Sequence, residues 1–165
     1  MAWLLVIVLI VFLAALFKLI PRALLVFCGT PLLRICGVTL FVANVFVGLT
    51  AIFGGITVAT AVDRFPAEWL TGTPFSSYLI PGLILAVVVG GSAAFAAAAT
   101  LRSREAGALA SGLAGTILLG WLVGERLILP PAAFPPQLWW LEAIYVAAGL
   151  MMVVPAVTVR WAQRG

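Results

Sequence analysis

The chain has 165 residues, of which 65% are hydrophobic and only 8% charged, with a formal net charge of +4 and no histidine. So few charges cannot cover a water-soluble domain of this size, and the basic residues stand singly at the ends of apolar runs, which argues against nucleic acid as a partner. In lipid a backbone must satisfy its own hydrogen bonds, and long uninterrupted apolar runs do so as helices, so the chain is predicted to be an all-α polytopic membrane helix bundle.

Residues 3–20 are the first apolar run, interrupted only by Lys18. A secretory signal carries its positive charge before the apolar core, whereas Lys18, Arg22 and Arg34 follow it, so the run reads as a retained reverse anchor. An over-extended start codon is the alternative. Residues 21–36 hold Pro21, Pro31 and apolar pieces too short to span, as expected of an interfacial or half-inserted helix. Residues 1–36 thus form an N-terminal anchor and interfacial segment. Cys28 and Cys36 have no histidine to complete a metal or haem site, so they read as small buried hydrophobes in preference to redox or metal ligands.

Residues 37–165 are expected to form a four-helix up-and-down core, with spans at about 38–60, 79–100, 107–129 and 138–159. The first carries Ala51, Gly55 and Ala59 at four-residue intervals, a stripe of small residues that lets another helix approach closely. Asn44 is its strongly polar member, read as an interhelical hydrogen bond before a ligand. The connection 61–77 ends in Pro74-Phe75-Ser76-Ser77-Tyr78-Leu79-Ile80-Pro81-Gly82. There Ser76 and Ser77 are expected to cap the next helix, and Pro81 is tolerated in its first turn. Trp69 and Tyr78 are placed at headgroup level.

The second span carries Gly90, Ala94 and Ala98, and the third Gly112, Thr116, Gly120 and Gly124; both stripes are read as helix-packing faces. Pro130, Pro131, Pro135 and Pro136 make a short turn, and Pro155 is predicted to kink the last span. Arg102, Arg104, Arg160 and Arg164 place their loops and the C-terminus in the cytoplasm by the positive-inside rule, with the N-terminus outside. The implied location is a bacterial-type plasma membrane.

Ionisable groups within a span cost about 2.5–3.5 kcal/mol at a helix centre, so Glu125, Arg126 and Glu142 each need a reason. Glu125 and Glu142 lie a turn inside facing helix ends, near Gln137, Tyr145 and Tyr78, so a polar cluster near the outer face is expected. One reading is a site at which Glu125 or Glu142 binds a cation, relays a proton or meets a lipid headgroup. The other is structural, with Arg126 pairing to Glu142 and Glu125 turned to the start of the 79–100 helix or to water. Neighbours on a helix diverge by about 100°, so Glu125 and Arg126 need different partners.

From Gly37 onward the chain resembles a group of small, uncharacterised bacterial four-helix membrane proteins. The resemblance rests on Gly54-Gly55, the Pro74–Gly82 motif, Gly120-Trp121 with Glu125, and Gln137 to Tyr145 with Gly149. It implies the four-helix fold and carries no activity; the first 36 residues depart from it.

No Walker loop, His-Glu-x-x-His or Gly-x-Ser-x-Gly occurs, and Ser76 and Ser77 have no base nearby. No catalytic residue, metal or cofactor is expected. Three functions remain. The first is a non-catalytic accessory or scaffold subunit, whose partners are the bilayer and other membrane proteins or itself. The second is a small oligomeric transporter or channel using Glu125 and Glu142. The third is an enzyme acting on lipid headgroups.

Overall fold

The computed structural model describes residues 19–21, 23, 25–27, 29–60, 67–129 and 139–163. Four helices among them are long and apolar enough to cross a membrane: α1 (Pro31–Thr60), α2 (Leu79–Thr100), α3 (Arg104–Ile128) and α4 (Trp139–Ala162). The described residues are otherwise turns and short helical pieces, without strands. The bundle-like membrane fold is therefore as expected. The anchor expected before residue 19 lies outside the described residues.

The boundaries follow from local chemistry. α1 begins at Pro31 rather than near residue 38, because proline suits a first helical position, where its missing N–H costs nothing. Thr30 caps it, its Oγ1 3.5 Å from the Leu33 N–H. Arg34 and Cys36 consequently sit on the spanning helix. α3 begins at Ser103, whose extended backbone lets its hydroxyl accept from Ala106 N–H at 3.1 Å, a standard N-cap. At the start of α2 the cap position is Tyr78, with no side-chain cap bond. The capping expected of Ser76 and Ser77 is not made. Pro81 has no N–H, which leaves one donor fewer to satisfy in that first turn.

Each helix packs on its chain neighbours, and α4 closes back on α1, while α1 and α3 touch only lightly across the centre. The core is rich in alanine, with Ala43, Ala51, Ala93, Ala96, Ala114 and Ala148 around Val47, Leu118 and Met152. Larger apolar side chains point outward: Leu127 is 81% exposed and Phe95 66%. That inversion suits lipid, which accepts apolar exteriors and lets small residues bring helices together. Trp139 and Trp140 at the start of α4 and Trp161 at its end are also exposed, about 30 Å apart at the helical rise, at the spacing of the two membrane interfaces.

Small residues set the α1–α2 contact. A Cβ built on Gly55 would lie 2.5 Å from the Ala86 nitrogen and the Gly82 oxygen, and one on Gly82 would lie 2.6 Å from the Ala59 nitrogen. Gly48 and Gly90 continue the seam against Ala94 and Ile52. The expected stripe members Ala51, Gly55, Ala59, Gly90 and Ala94 all lie along or beside this interface, whereas Ala98 is exposed. Between Ile84 and Gly90, α2 widens into a π-helix. This local underwinding adds about one residue to the turn and rotates the side chains that follow. α4 runs through Pro155 as one element.

Leu19, Ile20, Ala23, Val26 and Phe27 pack at one end of the bundle. Ala23 and Phe27 are fully buried, Phe27 in a cluster with Leu40, Ala108 and Val159. Gly37 makes room for it: a Cβ there would lie 2.3 Å from the Phe27 ring. Arg104 Nε donates to the Val26 carbonyl at 2.8 Å, tying the segment to the start of α3. The described part of the segment thus belongs to the bundle's packing.

Candidate functional site

The opposite end holds a cavity of about 420 Å³ between α2 and α3, roofed by the connection from α1. The roof is locally determined. Gly72 takes the left-handed φ of +83° that glycine alone adopts without cost. Thr73 then staples the turn, donating through Oγ1 to the Leu70 carbonyl at 2.8 Å and accepting from the Phe75 N–H at 3.3 Å. This fold turns Trp69, Phe75 and Tyr78 into the cavity. Pro81 and the π-helical stretch of α2, through Leu85 and Val88, form one wall. Trp121 and Glu125 of α3 form the other.

Gly120 and Gly124 were expected to pack against a helix. Among the described residues nothing comes within 4 Å of a Cβ built on either, and both line the cavity. Their missing side chains make space in front of Trp121 and Glu125. The close α3–α4 contact is made elsewhere: a Cβ on Gly115 would lie 2.8 Å from Met152 Cβ and 3.0 Å from the Gly149 oxygen. Gly112 has only ordinary contact, 3.5 Å to the Ala156 methyl.

The expected cluster is divided in two. Arg126 donates from Nε to Glu142 Oε1 at 2.7 Å and also pairs through Nη2 with Oε2, a bidentate geometry that fits a planar guanidinium to a carboxylate. Arg126 lies in the last turn of α3 and Glu142 in the first turn of α4, so each charge also complements its helix dipole. Glu125, turned away from this pair, lines the cavity half-buried. The indole of Trp121, one turn earlier, lines the same cavity. Tyr78 is the other cluster member in the cavity, and burial pushes its phenol above the ordinary tyrosine pKa, so it stays protonated at neutral pH. Tyr145 instead packs against Phe46 of α1 in a tilted arrangement, ring centroids 6.1 Å apart. Gln137 lies outside the described residues.

Comparison with protein-family models, curated proteins and solved structures found no match.

The site therefore rests on its own geometry. Among the described residues no group of three metal-ligating side chains comes together, and no nucleophile stands beside a base in the cavity. Ser76 and Ser77 are absent from the lining. The arrangement offers one carboxylate, an aromatic wall and an apolar floor, which suits binding.

Two other polar features have structural roles. Asn44, fully buried, donates to Ser111 Oγ on α3 at 2.8 Å and to the Leu40 carbonyl at 2.7 Å. This is the expected interhelical bond, and it lies in the core, outside the cavity lining. Cys36 is buried beside Phe27 as a small hydrophobe would be.

The residues that sequence reading missed are Phe75 and Trp69 as cavity walls and Gly120 and Gly124 as cavity makers. Their signal was present: two glycines a turn apart, alternating with Trp121 and Glu125, leave a hollow unless a neighbour fills it.

Proposed function

We propose that this chain is a non-catalytic integral membrane protein whose working element is the cavity under the 69–78 connection, and that it binds an amphiphilic small molecule there. The observation carrying this reading is the separation of the two acids. Glu142 is engaged by Arg126, while Glu125, a turn inside the helix end, faces a hollow vacated by glycines. A half-buried acid retained in an apolar span is costly once ionised, and a ligand would offset that cost. Among the transport readings, this narrows the acid concerned to Glu125. The positive-inside rule puts the cavity end on the external face of a cell membrane, with Arg102, Arg104 and Arg160 at the other end.

The test is to fill the hollow. Gly120→Leu should abolish saturable binding of an amphiphile to the purified protein in nanodiscs while leaving the helical content unchanged. Binding that survives the filled cavity would sink the reading.

A second reading, an accessory subunit packing on other membrane proteins, is favoured by an apolar groove of about 530 Å³ between α1 and α4. Small residues Ala43 and Ala147 line it beside Phe46 and Met151, a surface that suits a partner's transmembrane helix. Purification from native membranes in mild detergent, with mass spectrometry of co-migrating proteins, tests it. Recovery of the chain alone, or only as a homo-oligomer, would count against it.

A further inference from the structure

The cavity's chemistry can be taken one step further, on the footing that it binds a ligand at all. Three of the side chains facing it are Trp69, Tyr78 and Trp121, and its acid is Glu125. Aromatic faces carry the negative end of a quadrupole and attract cations, most strongly when the cation has been stripped of water. Glu125, when ionised, adds a full charge of the same sign in the same hollow. The remaining lining is apolar, with Phe75, Leu85 and Val88 among it, and excludes a strongly hydrated ion, whose desolvation would go uncompensated. An anion would meet Glu125, and among the described residues no lysine or arginine lines the cavity to oppose it, Arg126 being bound to Glu142. A neutral amphiphile would leave the carboxylate unpaired. From these constraints we infer that the ligand is an organic cation with an apolar body, and that an alkylated ammonium sits between Glu125 and the Trp69, Tyr78 and Trp121 rings.

An alkylated ammonium reaches such a site either as a soluble amphiphile or as a lipid headgroup. The headgroup carries a phosphate beside the ammonium, and among the described residues no cationic side chain lines the cavity to receive it, which disfavours that source. Both sources share the recognising chemistry and are separated experimentally.

The probe is benzyltrimethylammonium, titrated into the full chain in phosphatidylglycerol nanodiscs and followed by tryptophan fluorescence. Neopentylbenzene, its uncharged carbon isostere, serves as the control. The cation should bind saturably and at least about 10-fold more tightly than the isostere, the difference expected of one desolvated cation–π and charge contact. Glu125→Gln should weaken the cation by about 10-fold or more and leave the isostere unchanged, and Trp121→Leu should weaken the cation similarly. Glu125→Asp, which keeps the charge, guards against a variant that misfolds and should retain most of the affinity. Glu142→Gln should bind as the unaltered chain does.

Equal binding of cation and isostere, insensitive to Glu125→Gln, would overturn the cationic ligand. Loss of both on Gly120→Leu would then still uphold the cavity as a binding site. No saturable binding of either compound would overturn both. With cation binding established, repetition in phosphatidylcholine nanodiscs distinguishes the sources. Competition by that lipid assigns the ammonium to a headgroup, and undiminished binding assigns it to a soluble cation.

Discussion

Arg126 and Glu142 clasp the ends of α3 and α4 through a bidentate pair, with Nε 2.7 Å from Oε1. The side chains are 47% and 31% exposed, so solvent and salt weaken the attraction. The pair's larger effect is to hold Glu142 away from the cavity that Glu125 faces.

Neutralising either partner should therefore cost little stability. Glu142→Gln or Arg126→Gln should lower the melting temperature slightly at low salt and by less at high salt, and the charge-swapped double variant should restore most of the loss. Thermal unfolding in detergent at two ionic strengths measures this. A large loss that salt does not touch would mean that the pair is the main tie between α3 and α4.

Glycines in the α1–α2 seam and in the cavity should respond in opposite ways. Gly55→Ala forces a methyl to 2.5 Å from backbone atoms of α2, and overpacking of that kind costs about 1–3 kcal/mol. Gly124→Ala meets nothing within 4 Å among the described residues and should gain up to about 1 kcal/mol from helix propensity. Unfolding in mixed micelles of rising SDS fraction compares them, and equal effects would contradict the seam.

Phe27 is fully buried against Gly37, so Phe27→Ala should destabilise the bundle by about 3–5 kcal/mol, the usual loss for a core phenylalanine. The same unfolding measurement decides. A loss below about 1 kcal/mol, the level of a surface substitution, would mean that Phe27 lies loosely on the bundle.

Asn44 and Ser111 should be coupled modestly. A double-mutant cycle on Asn44→Ala and Ser111→Ala should return about 0.6 kcal/mol, the average for interhelical hydrogen bonds in membranes. A coupling near zero would show that the bond contributes nothing to packing α1 on α3.

Tyr78 sets a pH window. Its folded pKa lies above the ordinary 10.0 because burial disfavours the phenolate. The unfolded chain therefore loses this proton first as pH rises. Tyr78's contribution to stability is intact below the ordinary tyrosine value and falls as pH climbs from there through the folded value. Tyr78→Phe should flatten that part of the stability profile, and an unchanged slope would argue against burial of the phenol.

The four spans were legible as long apolar runs with few charges, since lipid imposes length and apolarity on any segment that crosses it. The boundary of α1 was not. Pro31 reads equally as a break or as a first helical residue, and only the Thr30 cap and the helix that follows decide between them. The π-helical widening at Ile84–Gly90 has no local signature, because it depends on how α2 lies against the seam glycines of α1.

Composition and run length determined by themselves that the chain is helical, membrane-compatible and built to pack closely, and residue spacing determined that Glu125 and Arg126 must face different ways. Tertiary structure alone decided which glycine stripe closes on a helix and which opens a hollow, and which acid Arg126 takes. A small side chain permits close approach but cannot require it. Whether Gly55 meets a backbone or Gly124 meets a cavity depends on where a distant segment of the chain comes to rest.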